Sequence, residues 1–135
     1  MIEEADISQA LGQRLVAMTD CPDVVWENKD KPASVVRPYL VVEVVRVSRR
    51  DASLKGGRRL VKSNGFLQVT AVGELDVYAF PSERLADRIA GQFPSGLRLS
   101  AATGTVTIMD EPDIKKGYRD GADWRVPVQI DYWAS

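Results

Sequence analysis

Residues 39–47 read YLVVEVVRV, and this run restricts the possible folds more than any other stretch of the chain. Five of the nine are valines, whose branched Cβ is crowded in a helix and well accommodated on a pleated strand. Alternation gives the strand two faces, Leu40, Val42 and Val44 on one and Tyr39, Val41, Val45 and Val47 on the other. Both are largely apolar, so the strand is expected to be central and covered on both sides near its start. More of this chain, or another copy of it, must supply the second cover. A further strand, GFLQVTAVGELDVYAF from Gly65, keeps Leu67, Val69, Ala71, Leu75 and Val77 on one parity. Asp51 to Asn64 then becomes a hairpin connection with Gly56-Gly57 at its turn.

That connection also carries charge. Arg46, Arg49, Arg50, Lys55, Arg58, Arg59 and Lys62 lie within 46–62 against one acid, Asp51. The segment is therefore +6, leaving −7 for the remainder of a chain whose total is −1. A positive arm on an acidic body fits a charged contact, such as the acidic face of a second copy. It equally fits long strands that end in water. A phosphate-binding loop is excluded, because it needs a helix N-terminus after the glycines and here a strand follows. The spacing GxxxxGK[ST] is also missing.

The flanks read as two helices and shorter strands. EEADISQALGQRLVAM places Ile7, Leu11, Leu15 and Met18 on one helical stripe, with Glu3, Glu4 and Asp6 at its positive end. Asp20-Cys21-Pro22 stops it, and a short strand covers Val24 to Trp26. SERLADRIAGQF predicts a second helix with Ser82 as N-cap and Leu85, Ile89 and Phe93 along one face. Short strands follow at Leu97–Leu99 and Thr105–Met109, then the polar connection DEPDIKKGYRDGAD. In the closing WRVPVQIDYW, Trp124, Val126, Val128, Ile130 and Tyr132 point inward. Pro127 cannot donate to a ladder, which predicts an edge or a bulge there. The 135 residues are long enough for one core, so one α+β domain is expected over 1–135: a mostly antiparallel sheet, two helices on one face and a long basic β-hairpin.

Reactive chemistry has little to draw on. The chain has no histidine and one cysteine, Cys21. Histidine-based nucleophile activation, imidazole bases and thiolate zinc sites are thereby excluded, as is an intrachain disulfide. Asp110-Glu111-Pro112-Asp113 and Asp120-Gly121-Ala122-Asp123 could offer oxygens to a hard cation, but neither has the alternation of an EF-hand loop. Glu74 and Asp76 share a strand face without an evident partner. The basic connection could track nucleic-acid phosphates, yet no aromatic lies within it for bases to stack on. Trp26, Trp124 and Tyr132 read as core or strand anchors, whereas Trp133 has the opposite parity and suits an interface.

The order and spacing of particular pieces resemble the tail-terminator-like or tail-completion proteins of long-tailed phages and prophages. These pieces are VVWEN at 24–28, PYL at 38–40, GGRR at 56–59, GFLQV at 65–69, LADRIAGQFPSGLRL at 85–99 and WRVPVQI at 124–130. GELDVYAFPS, between Val72 and Ser82, is shorter and less glycine-rich than the family's usual entry to its second helix. The resemblance implies a structural protein without catalysis or cofactor. It would form a ring, usually a hexamer, at the head-proximal end of the tail tube, where it stops tube growth and joins the head. Its implied partners are itself, the tail tube protein and a head-completion or connector protein. DNA would be met only in transit through the lumen, and no membrane is implied. Assembly would take place in the bacterial cytoplasm, leaving the protein in the virion tail. Another connector or adaptor protein, or a nucleic-acid module using 46–62, are the alternatives. An interface or lumen position is expected for Arg49, Arg50, Lys55, Arg58, Arg59, Lys62 and Trp133. Changing Arg58 and Arg59 together to Glu is expected to impair assembly in light scattering while the circular dichroism spectrum stays native. Normal assembly of that variant would overturn the expectation.

Overall fold

The computed structural model describes residues 1–51, 60–75 and 77–135. Its elements are α1 (Glu4–Val16), β1 (Asp23–Val25), β2 (Tyr39–Asp51), β3 (Val61–Glu74), α2 (Phe80–Gln92), β4 (Arg98–Ala101), β5 (Gly104–Ile108), β6 (Asp113–Ile114), β7 (Tyr118–Asp120) and β8 (Asp123–Ala134). The fold is α+β with a mostly antiparallel sheet, as expected. β2 and β3 pair antiparallel from Tyr39↔Val72 to Asp51↔Val61, so the ladder runs further than the sequence predicts. The hairpin turn expected at Gly56-Gly57, with Lys55, Arg58 and Arg59, falls outside the described residues.

β8 is the second long partner of β3, paired from Ser63↔Ala134 to Glu74↔Asp123. Its other margin is taken in turn by β7, β6 and β5, and β4 completes the order β1-β2-β3-β8-β5-β4. The expectation of an edge strand at Pro127 is therefore wrong. The proline is tolerated because its carbonyl, and with it the side that lacks an N–H, faces away from β3: the carbonyl accepts from Lys115 N at 2.8 Å. The missing donor falls in the gap between β6 and β7, where no ladder bond is lost.

β2 is not central either. β1 runs parallel beside it only at Tyr39–Val41. Beyond Val42 its outer margin has no strand partner among the described residues. The polar stretch after Val25 cannot extend a buried strand, so the cover ends there. Leu40 and Val42 are buried on the helix side, whereas Val47 is 62% exposed. The inward face of the strand is thus the Leu40, Val42, Val44 parity. Between Arg46 and Ser48 the β2–β3 register shifts. Gly65 sits opposite, and a Cβ there would lie 2.2 Å from the Val45 carbonyl oxygen and 3.0 Å from the Tyr132 hydroxyl. Only glycine lets the two backbones approach this closely.

Both helices pack on one face. Ile7, Leu11, Leu15 and Met18 from α1 and Leu85, Ala86, Ile89 and Phe93 from α2 share a core with Leu67, Val69, Ala71, Val126, Val128, Ile130 and Tyr132. Ile2, ahead of the helix, is also fully buried in it. The helix C-termini hold each other: Arg14 Nε donates to the Gln92 carbonyl at 2.8 Å, and Gln92 Nε2 donates to the Arg14 carbonyl at 2.7 Å. Each side chain satisfies a carbonyl that its partner helix cannot.

α2 starts at Phe80 with Pro81 in its first turn, and Ala79 rather than Ser82 is its N-cap residue. Ser82 instead packs against β3, since a Cβ on Gly73 would meet its Oγ at 2.5 Å. β3 ends at Glu74, so Leu75 and Val77 do not continue its inward face, and Val77 is 59% exposed. Gly65→Ala is expected to cost about 1–3 kcal/mol in urea denaturation, because a backbone carbonyl cannot rotate aside as a side chain would. An unchanged midpoint would show that the strands can part at the bulge.

Candidate interaction surface

The expected site residues do not form one group. Arg49 is engaged within the chain. Its Nη2 donates to the Ile2 carbonyl at 3.0 Å and its Nη1 lies 3.6 Å from Glu4 Oε2. Arg46 Nε lies 3.9 Å from the other oxygen of that carboxylate. Buried Ser63 on β3 donates its hydroxyl to Glu4 Oε1 at 2.7 Å. Glu4 is the first residue of α1, where the helix dipole favours a negative charge. Two of the basic residues of β2 are thus committed to clamping the N-terminus of α1 onto β2 and β3. The Tyr132 hydroxyl is buried with no hydrogen-bond partner among the described residues. Burial first, and then the Glu4 charge, push its pKa up to about 12 against the opposing Arg46.

Arg50 and Lys62 are exposed and lie opposite each other in the β2–β3 ladder. Lys62 Nζ sits 5.5 Å from the centroid of the Trp133 ring. Trp133 is therefore half-covered on the sheet face that the helices leave open, and the lysine holds a cation–π position over it. Lys55, Arg58 and Arg59 lie outside the described residues.

The acidic clusters are used as ion pairs and turn contacts. Asp120 and Asp123 flank Arg125, at 3.1 Å from Nε and 3.5 Å from Nη2, and Asp123 also meets Arg37 Nη1 at 3.3 Å. Asp113 lies 3.7 Å from Lys115 Nζ, and Glu111 Oε1 accepts from Ser95 N at 3.1 Å. The supposed loop 110–123 also holds β6 and β7. Among the described residues no three His, Cys, Asp or Glu side chains are placed to hold a metal ion. Glu74 ends β3 in solvent, and Asp76 lies outside the described residues. Cys21 is half-buried and donates to the Pro22 carbonyl at 3.4 Å. Burial raises its pKa, Arg88 opposes this and Asp23 adds to it, so the thiol stays protonated at neutral pH.

The sequence reading missed one surface feature. Tyr78 and Phe80 are 82% and 51% exposed, stacked with centroids 6.1 Å apart, and Arg84 lies 5.2 Å over the Phe80 ring. Their neighbours Val77, Pro81 and Arg84 line a groove of about 810 Å³ between the start of α2, the end of β3 and the turn before β1. The signal was the apolar run just before Pro81, which continues no strand parity.

The whole describes an α+β domain that offers strand margins and an exposed aromatic corner, with no convergence of reactive groups among the described residues. The chain belongs to the phage tail terminator family: the model described as phage tail terminator protein matches residues 6–132. A solved structure that carries no descriptive name aligns with 100% of this chain and 97% of its own, at 21% identity and a TM-score of 0.78. A chain of the virion of a native gene transfer agent particle aligns over 98% and 97%, at 15% identity and a TM-score of 0.61. Those two likenesses are of fold. No curated protein matches the sequence.

The clamp on α1 has a measurable worth. Glu4→Ala leaves the buried Ser63 hydroxyl without its acceptor and Arg46 and Arg49 without their counter-charge. A loss of about 1–3 kcal/mol in denaturant unfolding is expected. An unaltered stability would show that apolar packing alone seats the helix.

Proposed function

We propose that the protein closes the head-proximal end of a phage tail tube as a ring of identical copies, stops tube growth and presents the surface to which the head is joined. The observation that carries this reading is the family match across residues 6–132. A fold shared with a chain of a gene transfer agent virion supports a place in the finished particle. A ring also needs two unlike surfaces per copy, so that each copy meets the next head to tail. The open margin of β2 on one side and the β4–β6 side of the sheet on the other are unlike in length and charge. Arg50, Lys62 and Trp133, together with Lys55, Arg58 and Arg59, are assigned to the subunit contact or the lumen; Arg49 serves the fold first. Partners on this reading are the tail tube protein on one rim and a head-completion or connector protein on the other.

Direct nucleic-acid binding through 46–62 is the weaker reading. Arg46 and Arg49 face Glu4 and Lys62 faces Trp133, which reduces the charge left for phosphates. The decisive experiment adds purified protein to growing tail tubes, with mass by light scattering and tube ends by electron microscopy. The expected result is a ring-sized multiple of 14.9 kDa at one end of each tube, and tubes that no longer lengthen. Tubes that keep lengthening, or protein found on portal complexes instead of tubes, would move it to another place in the head–tail connector.

A further inference from the structure

The outer margin of β2 from Val42 to Arg50 is a length of strand with no strand beside it among the described residues. Such a margin is a template for another extended segment unless it is blunted. The blunting here is partial. Val44 N–H is taken by the carboxylate of Glu27, from the loop after β1, and the register shift falls only after Arg46. Val47 stands exposed beside it. Arg46 and Arg49 are drawn to Glu4, and Glu27 sits at Val44, which leaves Arg50 as the outward-facing arginine of this margin, whose complement is a carboxylate. The occupant it suits is acidic and extended.

The chain contains such a segment on the far side of its own sheet. Met109 to Ile114 holds Asp110, Glu111 and Asp113 and no base, and Met109 and Ile114 are 47% and 41% exposed. Within it, β6 has β8 as its one strand partner among the described residues, while the Met109 carbonyl accepts from Ser95 Oγ at 3.0 Å and Glu111 Oε1 from Ser95 N at 3.1 Å. The ladders place this segment level with the open margin. Val45 pairs with Phe66, Phe66 with Asp131, and the Asp131 carbonyl accepts Met109 N–H at 3.0 Å. One row along, Glu43, Gln68, Gln129 and Asp113 are successive partners. The basic and acidic margins therefore lie at the same height on opposite sides of the β3–β8 pair. Copies joined through them repeat head to tail with little offset along the strands, which favours a closed ring over a rising filament.

We propose that the outer margin of β2, Val42 to Arg50, docks the Met109–Ile114 segment of a second copy of this chain. The inference rests on the ring reading above and names the contact that would build it. In the contact, exposed Val47 meets the apolar ends of the segment, and Arg50 meets Asp110, since Glu111 is held by Ser95 and Asp113 by Lys115. The Glu27 carboxylate holds the place that a partner carbonyl takes at Val44.

Arg50→Glu and Asp110→Arg test it, since both residues are exposed and neither makes an ion pair among the described residues. Each single variant is expected to weaken self-association by about tenfold in concentration-dependent light scattering. The double variant, whose charges are exchanged across every contact, is expected to return to within about twofold of the wild type. Matching thermal melts confirm that all three are folded. Singles that assemble like the wild type, or a double no better than the singles, would overturn this contact while leaving the ring intact. A wild-type chain that neither self-associates nor binds tube ends would overturn the ring and the contact together.

Discussion

Everything else in the molecule is hung on the antiparallel ladder between β3 and β8. It runs unbroken through twelve residue pairs, from Ser63↔Ala134 to Glu74↔Asp123. The inward parity of both strands, Leu67, Val69 and Ala71 on one and Val126, Val128, Ile130 and Tyr132 on the other, is the floor on which both helices sit. Each strand's remaining margin is then free to recruit something different. β3 takes the single long strand β2, while β8 takes three short strands in succession. The two sides of the sheet are unlike because of this division, and that asymmetry is what a head-to-tail assembly requires.

The described basic residues of β2 and β3 divide between two tasks. Glu4, at the positive end of α1, draws Arg46, Arg49 and Ser63 into one cluster that ties the helix start to β2 and β3. Thr103, in the turn between β4 and β5, reaches the same helix end, accepting from Glu3 N at 2.8 Å and donating to Asp6 at 2.6 Å. The N-terminus of α1 is therefore seated from both sides of the sheet, though its own N-cap side chain makes no capping bond. Charges that a tally of sequence assigns to a partner are in part consumed in making the fold. Arg50 and Lys62 are the described cations of β2 and β3 that still face outward, away from that cluster.

Periodicity made the helices and the long strands legible, because burial of one face leaves a trace at every second or third residue. The stripe Ile7, Leu11, Leu15, Met18 and the alternation from Trp124 to Tyr132 both reappear in the core. Neighbour relations left no such trace. Whether a margin is open depends on how far β1 follows β2, and three residues with no strong pattern decide that. Pro127 misled for the same reason. A missing donor says that one side of a strand lacks a bond, but which side, and whether a gap falls there, depends on β6 and β7, each too short to read in sequence. Val77, Tyr78 and Phe80 were read as strand because apolar composition is shared by buried strands and exposed contact loops.

For a protein of this family, the bearing of the fold on function lies in how margins meet and not in any single side chain. A tube is built to keep growing, so its subunits must repeat with a rise along the axis. A terminator must present contacts that close on themselves. Whether a head-to-tail contact closes or climbs depends on the height difference between the two surfaces each copy offers. For the proposed contact, that height is set by hydrogen-bond register within one chain: Val45, Phe66, Asp131 and Met109 form one row across four segments. A register slip of two residues in either long ladder would keep every inward side chain inward, and so would change the core little. It would still displace the two margins by about 7 Å along the strands, enough to turn the proposed closing contact into a climbing one. The bulge after Arg46, with Gly65 opposite, guards against that slip, because the close backbone approach it makes can be accommodated at one position only.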